Sequence, residues 1–515
     1  MKKLNKKLLI GASALAMLNF SCTKLNEQLY GSKFIKDGNT AAGSADLGGV
    51  YNQLNGFSDQ ANWYALEEHS TDEMMGPTRG TDWDDFGTWR KLHQHTWDPT
   101  HNQIYDTWNN LNTGVYRATS VIAGATDNQI KAEASFLRAF FMFWVVDLYG
   151  QQPFRNVTDD PDANPMVMTR KAATDYMIKD LEFAVATLPA GSLANAGKAN
   201  KYAAEFLLAK IYLNKAVYYQ DPATPAGPFT FQSADMNKAL GYLNDIINNG
   251  PYSLTANYYD NFKWDNTSAS KEIIFSRQND PNTGQNASLE NRTRMVEHYN
   301  TTPSGWNGFT TLAAFYNSFE DNDIRKKYNL PNYTEVTGQN VGFLVGQQKT
   351  VDSKGNLVNV LDRSGKPLIF TPNVNIGYAT EAEGIRAVKF PLNPTNFGQS
   401  GNDYVFFRFA DVLLMKAEAI LRGGTDAAQP LALVNQIRAN RGASLLTSLD
   451  LPGLLAERGR EMYWESWRRQ DLIRFGKFND PVDQRSTASA GYRVVYPIPQ
   501  RAVDSNPNLK QNTGY

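Results

Sequence analysis

The chain has 515 residues, a formal charge of −1, 42% hydrophobic residues and a single cysteine, Cys22. That length allows a large core. A charge near zero supplies no basic face for a nucleic-acid partner, and one cysteine has no partner for a disulfide. Aromatics make up 12%, with 10 Trp and 25 Tyr, more than enough to leave some for stacking on flat ligands.

Residues 1–7 carry four lysines and no acid, residues 8–20 are mostly apolar and small, and Ser21 precedes Cys22. A charged start, a short apolar run and a small residue at the cut describe a secretory signal over 1–21. The run is too short to span a bilayer, which needs roughly 20 residues. The cysteine at the cut predicts a lipidated N-terminus on Cys22, as in a bacterial lipoprotein signal, although Asn19 stands where such signals usually carry Leu. Without the four lysines the charge falls to about −5. No later stretch reads as a transmembrane helix.

Thr71–Trp97 is interrupted by Gly76, Pro77, Gly80 and Gly87 and reads as a loop. It concentrates Asp72, Glu73, Arg79, Asp82, Trp83, Asp84, Asp85 and Trp89. A sugar offers an apolar face of C–H bonds and a rim of hydroxyls, so its site needs an aromatic platform beside carboxylates, amides or guanidinium groups. Trp83 between Asp82 and Asp84 meets that need, Arg79 can donate a fork of hydrogen bonds, and Asp72 and Trp89 complete the candidates here. The competing reading is that Trp83 or Trp89 packs the loop onto helices. Trp97 and Trp108 are expected in the core. His93 and His95 lack a third ligand, and the acids lack EF-hand spacing, so no metal site is expected.

Helices follow at 132–149, closed by Gly150, at 172–188, at 201–214 and at 236–248 with Asp235 as N-cap. Small residues such as Ala203, Ala204 and Ala209 allow close helix pairs, as in tetratricopeptide packing. From 250 to 403 the chain is rich in Asn, Gly, Thr and Pro. Turns at 353–356 and 363–366, flanked by short β-type runs at 358–361 and 367–370, predict hairpins and long loops. Trp306, between glycines, is a second platform candidate, with Tyr299 a weaker one. Arg386 can donate to a ligand or to a nearby acid.

Helices are expected again at 404–422, 429–440 and 454–475. The last is dense in charge and reads as structural, with Glu465 and Arg469 paired at i,i+4 and Asp471 orienting an arginine. The tail 496–515 reads as an extended segment packed on the body. No nucleophile elbow, phosphate loop or dinucleotide fingerprint stands out.

Six blocks carry a resemblance: STDEMMGPTRGTDWDDFGTWRKLHQHTW, AEASFLRAFFMFWVVDLYGQQPF, FFRFADVLLMKAEAI, VNQIRANRG, ERGREMYWESWRRQDLIRFGKF and YPIPQRAVDSNPNLKQNTGY. In this order they resemble the SusD/RagB family of outer-membrane nutrient-binding lipoproteins. The resemblance implies a mainly α fold over 22–515. Its tetratricopeptide-like scaffold would occupy 100–248 and 404–480, with an irregular lobe of short β-hairpins at 250–403. It also implies a surface lipoprotein anchored in the outer membrane through Cys22. Such a protein captures oligosaccharide or polysaccharide without enzymatic activity or cofactor and delivers it to a SusC-like TonB-dependent transporter. Alternatives are uptake of peptides or another nutrient, a surface glycoside hydrolase using two carboxylates of the 71–98 loop, and a helical scaffold with no small ligand.

Overall fold

The computed structural model describes residues 46–280, 289–398 and 400–515. The signal segment and Cys22 lie outside them. The fold is mainly helical, and its spine is a run of long helices, each packed on the next. A short helix at Leu47–Asn52, then α1 (Trp63–Glu68) and α2 (Thr88–His93), precede it. Then come α3 (Asn102–Gly124), α4 (Asn128–Tyr149), α5 (Arg170–Thr187), α6 (Lys201–Tyr218) and α7 (Ser233–Asn249). A hairpin of β1 (Gln151–Phe154) and β2 (Met166–Thr169) links α4 to α5.

Local chemistry sets these boundaries. Asp127 accepts from the amides of Gln129 and Ile130 at the start of α4, and Gly150, at φ 71°, ends it. Thr169 and Asn200 cap α5 and α6 in the same way. The cap expected at Asp235 is displaced: α7 starts three residues earlier than expected, and Asp235 sits in its first turn, 2.6 Å from Lys215. Nearly every residue of α4 from Ala132 to Tyr149 is buried, so this helix is the centre of the body. Ala203, Ala204 and Ala209 are buried in α6, and Phe206 stacks on Phe407 at 4.3 Å.

Between α7 and the C-terminal helices the chain forms small sheets and long loops. β3 (Ile273–Arg277) lies in the core. β4 (Lys327–Tyr328) and β10 (Arg386–Val388) flank β5 (Val341–Leu344). β6 (Gly346–Gln347) pairs with β9 (Ile369–Phe370), and β7 (Lys349–Val351) with β8 (Leu357–Asn359).

Two expected helices are corrected. Tyr404–Arg408 is a buried strand, β11, antiparallel to β3; helix α8 begins only at Phe409 and runs to Leu421. The run Tyr-Val-Phe-Phe is aromatic and β-branched and sits between two packed layers, which favours a strand. Helix α9 (Pro430–Asn440) follows, and the expected 454–475 helix divides into α10 (Leu451–Met462) and α11 (Arg468–Arg474). Trp464 and Ser466 take φ of 57° and 66° between them. Their amides donate to Glu73 and Glu68, which pin the break.

The charged block of α10 and α11 is structural, but Glu465 and Arg469 do not pair with each other, contrary to expectation. Glu465 bonds Arg408 at 2.6 Å and Lys389 at 2.9 Å, while Arg469 reaches Asp147 at 2.7 Å. Asp471 does orient arginines, Arg458 and Arg474, both at 2.7 Å. Arg325 of the irregular region meets Glu457 at 2.7 Å and Glu461 at 3.0 Å, and Arg408 and Arg441 join Glu461 and Glu272. All these groups are buried. Ions removed from water in this way persist only when each is paired and hydrogen-bonded, so the network locks the loops to the helices. The tail packs as expected, with Tyr496 and Ile498 buried.

Candidate functional site

Three segments distant in sequence meet at one face. Met75 and Thr310 exchange backbone hydrogen bonds of 2.8 and 2.9 Å, and Thr311 donates to Ile385 at 2.9 Å. Thr78 accepts from Ala379 and donates to Ile376. The loops 75–90, 295–311 and 361–386 are thereby stitched edge to edge.

Arg79 and Arg386 fasten this seam. Arg79 donates through Nε to the Gly308 carbonyl at 3.0 Å, through Nη2 to the Glu383 carbonyl at 2.9 Å, and through Nη1 to the Thr380 carbonyl. Arg386 donates to the carbonyls of Glu383 and Glu381, at 2.8 and 3.1 Å, and to the Asn307 side chain at 2.8 Å. Both are buried, and burial brings the Arg79 guanidinium down to about 10. Against the expectation that they meet ligand, the hydrogen bonds of both run to the protein's own oxygens, main-chain carbonyls and, for Arg386, the Asn307 side chain, while Arg386 Nε is buried without a partner. Trp89 is buried too, its indole N–H held by Asp85 at 2.6 Å. It supports the loop from below.

Trp83 and Trp306 are brought together. The Trp83 indole donates to the Trp306 carbonyl at 2.9 Å, and the two rings lie 6.5 Å apart at 41°. Trp83 is half-buried on Phe309, 4.8 Å away, and lies flat on Gly308, where a Cβ would come within 2.5 Å of the ring. Trp306 is 38% exposed. Tyr299 extends the group. Its hydroxyl donates to Asp82 at 3.0 Å, and the Arg363 guanidinium lies over its ring at 4.5 Å. Arg363 is exposed and held by Glu381 at 2.9 Å. Asp84 is bound by Arg90 at 2.6 Å. The result is an open aromatic arc rimmed by a carboxylate, a guanidinium and the Asn300 amide.

Sequence reasoning missed Arg363 and Asn300. Of the sequence candidates, Asp82 and the weaker Tyr299, Asn300's neighbour, pointed toward this rim; Arg363 lies in a stretch that reads simply as a turn.

Asp72 is elsewhere. Its carboxylate forms a two-pronged pair with Arg468, both contacts at 2.7 Å. Burial alone would raise its pKa, but Arg468 outweighs burial and holds it below the ordinary value. The pair stands between two clefts of about 620 and 440 Å³. The larger is walled by Phe229, Leu455 and Phe475 beside Arg422 and Arg474, which Glu418 already neutralises. The arc, with its clustered aromatic rings and polar rim, is the better candidate site although it is no deep pocket.

The histidines are structural. His93 bonds the carbonyls of His69 and Asp483, and His95 bonds Ser70 and Ser489. Burial pushes His69 down to about 3 and His93 to about 4. Among the described residues no group of three or more His, Cys, Asp or Glu could hold a metal ion.

Two family models match the chain: the SusD family over residues 271–515, and a model described as starch-binding, associating with outer membrane, over 49–213. The chain belongs to the SusD family. The starch-binding protein SusD of Bacteroides thetaiotaomicron is 26% identical, with 92% of this chain and 88% of that protein covered. A laminarin-binding SusD-like protein has the same fold, with a TM-score of 0.68 and 20% identity over 92% of this chain and 99% of the other. A surface glycan-binding protein A of Bacteroides thetaiotaomicron, solved with laminarihexaose, superposes with a TM-score of 0.64 and 19% identity over 90% of this chain and 98% of that one.

Proposed function

We propose that this SusD-family protein captures a glycan chain on the arc of Trp83, Trp306 and Tyr299. The observation that carries the reading is the Trp83–Trp306 pair, two indoles 6.5 Å apart and joined by a hydrogen bond, with Trp306 exposed. Stacking on C–H faces supplies affinity, and Asp82 and Arg363 hydrogen-bond ring hydroxyls. The relative named as starch-binding and the glycan-binding neighbours support this ligand class.

On this reading the protein has no chemistry of its own: the relative and neighbours it resembles are named for binding, and Asp72 and Asp84 of the loop are paired with Arg468 and Arg90. It is anchored through Cys22 to the outer membrane, faces outward, and hands its glycan to a SusC-like TonB-dependent transporter. The outer-membrane wording of the matching family model supports this placement. No observation favours a peptide ligand.

Affinity electrophoresis of the chain from Thr23 onward against a polysaccharide panel tests binding. At least one glycan retards the parent, and Trp83→Ala or Trp306→Ala abolishes most of the shift. Unchanged migration of both variants sinks the reading. Co-purification of a barrel with the full chain tests delivery.

A further inference from the structure

The two most exposed large apolar side chains among the described residues are Phe86, at 95%, and Tyr378, at 72%. Both belong to the seam that carries the arc. Tyr378 lies between Ile376 and Ala379, whose backbones bond Thr78, and the Thr78 hydroxyl bonds Asp84 and Arg90 beside Phe86. Leu361, also exposed, accepts through its carbonyl from Asn300, next to Tyr299. Exposed apolar surface gathered on one face marks a contact.

Phe86 is held out by strain. Trp83, Asp85 and Phe86 take φ of 61°, 39° and 56°, in the left-handed region that costs side chains of this kind free energy. The turn is nonetheless fixed on every side: Asp84 by Arg90, the Asp85 carboxylate by the Trp89 indole, and the Asp85 carbonyl by the Thr88 hydroxyl at 2.6 Å. A free protein gains nothing from a rigid turn that presents phenylalanine to water. Three positions separate Trp83 from Phe86, so their Cα atoms lie within about 11 Å, the reach of one ligand chain.

The charges around this face narrow the ligand. The guanidinium groups here face acids: the exposed Arg363 faces Glu381, and the half-buried Arg90 and Arg294 face Asp84 and Glu290. The two lysines here lie near carboxylates as well, Lys91 near Asp98 and the exposed Lys366 near Asp362. Asp82 and Asp85 bond only the neutral Tyr299 hydroxyl and Trp89 indole. A carboxylated or sulfated glycan would meet carboxylates here and no unengaged guanidinium.

We infer that Phe86, with Tyr378, is an outer platform that extends the arc and selects an uncharged glycan of several units over a short one. The inference rests on the glycan-binding reading. It is tested by calorimetry with two-unit and six-unit fragments of whichever neutral polysaccharide retards the parent, beside alginate as a uronate polymer. Phe86→Ala lowers affinity for the six-unit fragment about threefold to tenfold, leaves the two-unit fragment unchanged, and is rescued by Phe86→Trp. Tyr378→Ala acts in the same direction. As Phe86 is almost wholly exposed, its loss does not disturb folding, which near-ultraviolet circular dichroism checks. Equal binding of both lengths by parent and Phe86→Ala overturns the inference while Trp83→Ala still confirms the arc. Uptake lost with binding intact assigns Phe86 to a protein contact and overturns it too. Alginate binding more tightly than any neutral polymer refutes the uncharged class, and binding that survives Trp83→Ala removes the underlying reading as well.

Discussion

Trp83 and Trp306 stand 223 positions apart, yet the indole N–H of one donates to the carbonyl of the other at 2.9 Å. The bond fixes the angle between the two rings, and Gly308 makes it possible by giving the Trp83 ring a floor of bare backbone. Gly308→Ala is therefore expected to tilt Trp83 and reduce glycan affinity about tenfold, with a stability cost of about 1–3 kcal/mol. Calorimetry beside urea unfolding checks it; full affinity with a shifted unfolding midpoint alone would show that the ring angle is immaterial.

Arg386 holds the other edge of the seam through carbonyls and an amide. Arg386→Met keeps most of its length but strands those acceptors in the interior. A loss of about 3 kcal/mol is expected by chemical denaturation, with weaker glycan binding as the 381–384 segment loosens. A variant as stable as the parent would show that Arg79 suffices.

The buried network makes an acid-side prediction. Burial raises the Glu457 carboxyl, but Arg325, Arg460 and Arg438 outweigh it and hold the group down to about 2, against an ordinary 4.5. A depressed carboxylate stabilises the fold fully above 4.5, and that contribution is lost as pH falls from 4.5 toward 2. Glu457→Gln is expected to cost about 3–5 kcal/mol at neutral pH and to flatten the fall in stability over that window. Melting temperatures from pH 7 to 3 read both; parallel curves for parent and variant would count against it.

Glu68 has the opposite sign. Burial raises its carboxyl to about 7, against smaller opposing effects that begin with the Ser466 amide. A raised acid favours the fold below 4.5, and that advantage is lost as pH rises through about 7. Glu68→Gln keeps an acceptor for the Ser466 amide and never ionises. Relative to the parent it should gain stability as pH rises from 4.5 to 8. A constant difference across that range would refute the assignment.

The helical scaffold was legible because long apolar runs such as 132–149 and the alanines of 201–214 admit one packing. Tyr404–Phe407 was not, since a continuous apolar run suits a buried strand as well as a helix. The break at Trp464 and Ser466 depends on Glu73 and Glu68, nearly 400 positions away. At the site, tryptophans among acids and glycines marked the arc. Arg79 and Arg386 read as ligand donors because nothing local reveals that three distant loops close over them. Phe86 looked like any loop residue until the fold left it in water.

Arg79 and Arg386 recognise main-chain oxygens, which every amino acid supplies. The exposed side chain of Thr380 can therefore be exchanged without untying the seam, whereas Glu381 is held by its pair with Arg363 and Gly384 leaves no room for a Cβ. The molecule thereby separates a frame held by main-chain oxygens, which must stay constant, from side chains that are free to vary over it.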